Sequence, residues 1–380
     1  MTTTEILVIG CGPAGAAAGI SALKSGRDVM VVEARKHPRL KLCAGLLTQK
    51  THRALRHLLG DDGYDECMAV AVMSREPYFA LWDGLKSAGR FPVKNKITLI
   101  DRVLFDDFLS KYYVRKGGKL VENDALVDID FNERIATLQS GERIAYKRLI
   151  AADGANSRVR RLREKFEGRT LLNTNRNVLC VEVNVDAQDL DVPDVNVILN
   201  VVPRSYAWSF AKGSKVCLGM VKFRGEKFDV NQTMRQFMVD LGVCNVDKYQ
   251  VKGAMLPFGN HMKRAARDES IFFVGDAAGF VEPLTGEGIY YALQSGIDAG
   301  ESPTAAEYTR RLKEVCRLIN ASRFYQRMME IKLARKLLLH YCGTHVEFMT
   351  LFYDKHIDNG LSDSFLKMAD EYKRSQWRRS

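Results

Sequence analysis

At 380 residues the chain can bury a large core, and at roughly 100–200 residues per domain it has room for two or three structural units. Hydrophobic residues make up 46% and charged residues 27%, near globular averages, and no repetitive or Pro/Gly/Ser-rich stretch marks a disordered linker. The formal charge of +11 favours an anionic partner, yet no nucleic-acid module accompanies it. The late Arg310-Arg311, Arg335-Lys336 and Arg378-Arg379 pairs read as a solvated basic face.

No uninterrupted apolar run approaches the roughly 18 residues of a spanning helix, and Met1-Thr2-Thr3-Thr4-Glu5 lacks the basic start of a signal peptide. A cytoplasmic protein is expected, with membrane attachment limited to peripheral contact. The eight cysteines are scattered without a C-x-x-C pair or zinc-type spacing, so they read as reduced thiols and no metal is expected.

Ile6-Leu7-Val8-Ile9 has the continuous apolar character of a parallel strand covered on both faces, and it leads into Gly10-Cys11-Gly12-Pro13-Ala14-Gly15. A small-residue helix is predicted from Pro13 to Lys24, then a strand over 29–32 that stops at Glu33, with Ala34 next. This is a complete β-α-β unit. Gly10 permits the tight turn, Gly12 lets a pyrophosphate approach the backbone, and Gly15 lets the helix lie close to the sheet. The helix N-terminus then faces the phosphates, and Glu33 is placed to accept from a ribose 2′-hydroxyl. The unit alone does not separate FAD from NAD.

Further along, Lys41 precedes Cys43 by two residues, a placement that favours thiolate, although a buried cysteine is more often an inert small hydrophobe. Residues 149–160 read as a strand, a turn at Asp153-Gly154 and a helix, and residues 270–279 repeat that logic through Gly275-Asp276. Either aspartate could simply cap a helix. Between these segments Tyr206, Trp208 and Phe210 alternate along a strand and so share one face, as an aromatic wall for an apolar substrate or as plain core. Pro283 through Gly288 offers a turn with exposed backbone N–H groups at a helix start. Thr304-Ala305-Ala306-Glu307 fits a capping box that opens a helical C-terminal region up to about Tyr372.

The motifs at 10–15, 153–154 and 275–276, in this order, resemble those of the p-hydroxybenzoate hydroxylase-like FAD-dependent superfamily. Three more segments narrow the resemblance to the geranylgeranyl reductases. Lys41-Leu42-Cys43-Ala44-Gly45-Leu46-Leu47 is similar to their Lys-x-Cys-Gly-Gly-Gly-Leu stretch. Tyr206-Ala207-Trp208-Ser209-Phe210-Ala211-Lys212, with Gly219 beyond it, is similar to their Tyr-x-Trp-x-Phe-Pro-Lys signature. The 282–293 segment resembles the stretch after their Gly-Asp. Ala44 and Ala211 depart from the family's Gly and Pro.

The resemblance implies an α/β protein: a Rossmann-like FAD-binding domain from residues 1–70, 98–162 and 253–300, an inserted β-sheet substrate domain over 71–97 and 163–252, and a helical region over 301–380. It implies an FAD site formed by Gly10, Gly12, Pro13, Ala14, Gly15, Glu33, Ala34, Cys43, Ala44, Gly45, Arg102, Asp153, Gly154, Gly275, Asp276, Gly286, Gly288 and Ile289. In the family the Gly-Asp carboxylate, here Asp276, binds the flavin ribityl chain. Tyr206, Trp208 and Phe210 are the substrate candidates, and Cys43 and Tyr206 the catalytic ones. The implied activity is hydride transfer from reduced flavin to a carbon–carbon double bond of a prenyl or other apolar substrate, small molecule or lipid. A flavin monooxygenase, hydroxylase- or halogenase-like, and a flavin redox protein without turnover are the alternatives. No second Gly-x-Gly-x-x-Gly unit is present, which leaves docked NAD(P)H, an electron-donor protein such as ferredoxin, or free reduced flavin as the source of electrons.

Overall fold

The computed structural model describes residues 1–202, 205–360, 372 and 374. Two eight-stranded sheets organise them. In the first, Thr2–Ile9 lies between Val29–Glu33 and Arg143–Ala151, parallel to both. Lys119–Glu122 and Ile271–Phe273 extend the parallel order on either side. The antiparallel strands Leu126–Asp130, Ile135–Leu138 and Ala266–Asp268 finish this sheet. Ile6, Leu7, Val8 and Ile9 are all buried, as a strand with helices on both faces requires.

Helix Pro13–Lys24 begins and ends where the sequence predicts, with residues 13–22 buried. Its first ten residues are mostly Ala and Gly because it is packed tightly, with helix Ile289–Glu301 against it.

The second sheet runs Lys252–Leu256, Val178–Asp186, Lys215–Lys222, Tyr206–Lys212, Val195–Leu199, Val72–Asp83, Lys86–Ile100, Leu46–Leu47. All neighbours are antiparallel except Val195–Leu199 with Val72–Asp83. Alternation gives it two apolar faces. Val181, Val183 and Val185 of one strand pack with Met234, Phe237 and Met238 of helix Val230–Asp240. Trp208, Phe210, Phe79 and Phe91 join a separate core with Phe348, Met349 and Tyr353 from the C-terminal helices. Each such large apolar side chain contributes about 1.5–3 kcal/mol when fully buried.

The expected boundaries at 97/98 and 253 fall inside strands. Lys86–Ile100 continues past the first, while Leu46–Leu47 and Lys252–Leu256 pair in the second sheet although both lie largely in stretches assigned to the first domain. Single apolar runs carry no label saying which sheet will accept them.

After Ser302 the chain is helical: Ala305–Glu330, Lys332–Thr344, Val346–Phe352 and a π-helical turn Tyr353–Asp358. Only half of the capping box forms. Thr304 Oγ1 accepts from Glu307 N at 3.2 Å, but the Glu307 carboxylate pairs forward with Arg310 and Arg311. The rest of the 301–380 expectation, including Arg378-Arg379, lies outside the described residues.

Candidate active site

The β-α-β turn is a close-packed corner. Gly10 has φ +100°, and a methyl group there would stand 2.5 Å from the Ala152 carbonyl oxygen. A methyl on Gly15 would stand 1.8 Å from the Gly10 carbonyl oxygen, so no other residue fits at either position without moving backbone. Gly12, Pro13 and Ala14 complete the entry to the helix, whose N-terminus carries the positive end of its dipole. A corner of this shape and polarity can cradle a pyrophosphate.

A chain of charges runs from the turn toward the cavity. Glu33 Oε2 accepts from Cys11 N at 2.8 Å, and Glu33 Oε1 from Arg35 N at 3.2 Å. Arg39 reaches Glu33 at 3.3 Å and Asp106 at 3.6 Å. Arg102 holds Asp106 through two bonds of 2.9 and 3.0 Å. Burial alone would lower the Arg102 pKa, but Asp106 and the nearby Cys43 hold it above the usual value. Arg39 is absent from the sequence-based set. A methyl on Gly12 would lie 3.4 Å from its guanidinium, which places the cation at the Gly10–Gly15 turn. Its Nε is buried without a partner among the described residues, as suits a group that awaits an anion. The sole sequence signal was a basic residue shortly after Glu33. Ala34 is exposed beside it.

The later motifs converge on the same cleft. Asp153 assists a helix start whose N-cap is Ser157: its Oδ2 accepts from Arg158 N at 2.6 Å and Val159 N at 3.0 Å. Its other oxygen is buried without a partner among the described residues, and burial raises its pKa. Gly154 follows with φ +78°. Gly275 N donates to Ser295 Oγ at 2.9 Å, and Asp276 lies 3.7 Å from Lys41 Nζ and next to Gly288. Asp276 is therefore brought to the loop that carries Cys43, Ala44 and Gly45.

The expected set of exposed N–H groups over 283–288 is smaller than the sequence suggests. Glu282 Oε2 accepts from Leu284 N at 3.0 Å and Thr285 N at 2.6 Å, the Glu282 carbonyl accepts from Gly286 N at 3.0 Å, and Thr285 Oγ1 accepts from Glu287 N at 3.3 Å. The acid just before the proline closes the turn on itself, so Gly286 contributes shape and not a donor. The N–H groups of Gly288 and Ile289, at the helix start, have no partner among the described residues.

Between the Cys43–Gly45 loop, the 283–289 turn and the second sheet lies a cavity of about 590 Å³. Phe79, Val195, Val197, Trp208, Phe210, Val221, Phe223 and Phe258 line it from the sheet side, and Met328, Met329, Leu339, Met349, Phe352 and Tyr353 from the helical side. Tyr206, Trp208 and Phe210 stand in a row with ring centroids 6.2 and 6.5 Å apart. Trp208 lies over Gly219, where a methyl group would come within 2.0 Å of its ring. The Tyr206 hydroxyl donates to the Thr285 carbonyl at 2.8 Å, and burial pushes its pKa well above the usual value.

One titratable group of this cavity was not singled out from the sequence. Glu182 is buried on the strand Val178–Asp186, opposite Gly219. Burial raises its pKa; attraction to the buried Lys212, the Cys217 thiol and the Cys43 N–H oppose that rise. Strand alternation put it among apolar neighbours, and only the fold shows that it faces Cys43. Among the described residues no cluster of His, Cys, Asp and Glu could hold a metal ion.

The corner at Gly10 and Gly15, the unpartnered Arg39 Nε and the free Gly288 and Ile289 N–H groups fit FAD. Comparison with known proteins agrees. A model described as "FAD binding domain" matches residues 3–302. A menaquinone reductase of Mycolicibacterium smegmatis is 27% identical over 327 residues, covering 81% of this chain and 78% of its own. A digeranylgeranylglycerophospholipid reductase of Methanocaldococcus jannaschii is 24% identical over 358 residues, 82% of each chain. A geranylgeranyl bacteriochlorophyll reductase-like protein of Thermoplasma acidophilum superposes with TM-score 0.77 at 18% identity, over 98% of this chain and 99% of its own. The model match over most of the chain makes it a member of the FAD binding domain family and an FAD-dependent oxidoreductase, one that is similar to reductases of the geranylgeranyl type.

Proposed function

We propose that this flavoprotein reduces carbon–carbon double bonds in the prenyl chain of a lipid or quinone. The observation that carries the reading is the cavity of about 590 Å³, predominantly apolar and bordered by the Cys43–Gly45 loop and the 283–289 turn. That volume is within the roughly 300–1,000 Å³ of ligand pockets. Menaquinone and digeranylgeranylglycerophospholipid, the compounds named for the relatives, have a polyprenyl chain in common.

In this reading Gly10, Gly12 and Gly15 with the helix N-terminus hold the pyrophosphate of FAD, and Glu33 and Arg39 flank its adenosine end. Asp276 and Arg102 hold the ribityl and ring side, with Gly288 and Ile289 donating to the ring edge. Reduced FAD, when bound, supplies the hydride. Trp208, Phe210 and Phe79 orient the chain and exclude water. An isolated alkene is a poor hydride acceptor, so a proton has to arrive as the transfer proceeds. Tyr206 directs its proton at the Thr285 carbonyl, which supports a part in holding the turn. Cys43, half-buried at the cavity and backed by Glu182, is the proton donor of this reading. Docked NAD(P)H or an acidic ferredoxin provides the electrons.

The test is anaerobic reduction of the FAD-loaded protein, followed by rapid mixing with a geranylgeranyl lipid or with oxygen. Reoxidation by the lipid, with a gain of two hydrogens per double bond, supports the reading. Reoxidation by oxygen alone, through a transient flavin-peroxide absorbance, makes the protein a monooxygenase instead.

A further inference from the structure

Sixteen large hydrophobic side chains are exposed among the described residues, and five of them fall within residues 324–337. Phe324 is 61% exposed and Met328 42%, four residues apart on helix Ala305–Glu330. Ile331, 55% exposed, sits at the break before the next helix. Leu333 and Leu337, 66% and 61% exposed, are again four apart on Lys332–Thr344. Spacing of four keeps each pair on one helix face. A water-facing patch of this density calls for a partner.

Two observations say which partner. Phe324 and Met328 also line the cavity, as do Met329 and Ala334 from the same segment, so the exposed patch is continuous with the cavity interior. Second, the basic residues here are unlike those upstream. Arg310, Arg311 and Arg317 are tied to Glu307, Glu301 and Glu314. Arg327, Lys332 and Lys336 are exposed and have no ion-pair partner among the described residues. Across 324–337 the sole acid is Glu330 against Arg327, Lys332, Arg335 and Lys336. Apolar side chains edged by unpaired cations form a face suited to a lipid surface of negative charge. No described helix is long and apolar enough to cross a membrane, so contact through this face is interfacial.

We infer that residues 324–337 dock the protein on an anionic phospholipid bilayer, with Leu333 and Leu337 inserted, Lys332 and Lys336 on the headgroups, and the cavity mouth at Phe324 and Met328 opened to the acyl layer. An apolar chain then enters the cavity without crossing water. The use of that entrance rests on the prenyl-reductase reading; the docking itself is measured without turnover, so the two fail separately.

The experiment is flotation of the FAD-loaded protein with phosphatidylcholine vesicles, with and without 30 mole percent phosphatidylglycerol, on the order of 0.1 M salt. Binding to the anionic vesicles is expected, with K332Q/K336Q weaker by roughly 30-fold, as two basic groups on such a surface imply. L333S/L337S should lose binding while retaining the flavin spectrum and thermal midpoint. The inference is overturned if the anionic vesicles bind no better than the neutral ones, or if both double variants float like the parent. It is equally overturned if the parent is a dimer that L333S/L337S converts to a monomer, because a second copy then covers the face.

Discussion

On the first-sheet side, behind the cavity lining, Glu33, Arg39, Asp106 and Arg102 form a chain in which every charge has an opposite neighbour, whereas the second sheet meets the cavity through Phe79, Trp208, Phe210 and Phe258. The first wall depends on fixed charges and on backbone that no side chain can replace. The second depends on contact area, which volume-conserving exchange preserves. A cofactor with phosphates and a polar ring edge needs the former. A flexible apolar chain needs only the latter, so substitution should separate the two functions.

The largest effect is expected at Arg102. R102A leaves the fully buried Asp106 carboxylate with the more distant Arg39 alone, at a cost of about 3–5 kcal/mol in chemical unfolding. FAD should be lost as well. The paired exchange R102M/D106L removes both charges and should recover most of the stability without recovering FAD. Recovery of the flavin spectrum would show that this pair serves folding and not the cofactor.

Asp298 is an exception on the charged side. It is buried in helix Ile289–Glu301 with Gln294 Nε2 as donor at 3.0 Å, and burial raises its pKa to about 6. Since the folded value exceeds the unfolded one, the native state binds the proton more tightly, and this group's contribution to stability falls as pH rises from about 4 to about 6. D298N should therefore gain up to about 3 kcal/mol on the parent at pH 7 and nothing near pH 4. Thermal midpoints of both proteins across that range check it; a pH-independent difference would remove the buried-charge explanation.

On the apolar wall, W208A should cost about 2–3 kcal/mol, at or below the usual Trp→Ala loss because one side of the ring already faces the cavity. FAD content should not change, while KM for the lipid rises. Loss of flavin on W208A would mean that the walls are not independent.

What was legible in the sequence follows the same division. The β-α-β corner could be read because its backbone admits glycine and little else at 10 and 15, and part of that constraint, the φ of +100° at Gly10 and the approach of Gly15 to the Gly10 carbonyl, lies within the turn itself. The Tyr206–Phe210 row could be read because strand alternation sets one face. Arg39 could not, since its position depends on a loop between elements, and neither could Glu182, which faces Cys43 only after Val178–Asp186 pairs with Lys215–Lys222. The 283–288 turn misled because a preceding acid can consume N–H groups that the spacing leaves free. Gly45 shows both levels at once. Its motif position was visible, but the reason, a methyl 2.3 Å from the Ile100 carbonyl oxygen, belongs to the packed structure.

Tyr206 lies where the two walls meet, and its hydroxyl bond to Thr285 joins the second sheet to the cofactor-side turn. Y206F deletes that bond while keeping the ring. As a link, the hydroxyl is worth about 1 kcal/mol, so the thermal midpoint should fall slightly, and lipid-dependent reoxidation should slow only several-fold. As a proton donor, its removal would instead slow the reaction by roughly 100-fold or more with hardly any change in stability. C43A is the companion: if Cys43 gives the proton, C43A takes the large kinetic loss and Y206F the small one. The reverse pattern would transfer the proton to Tyr206 and require the Thr285 contact to break when substrate enters.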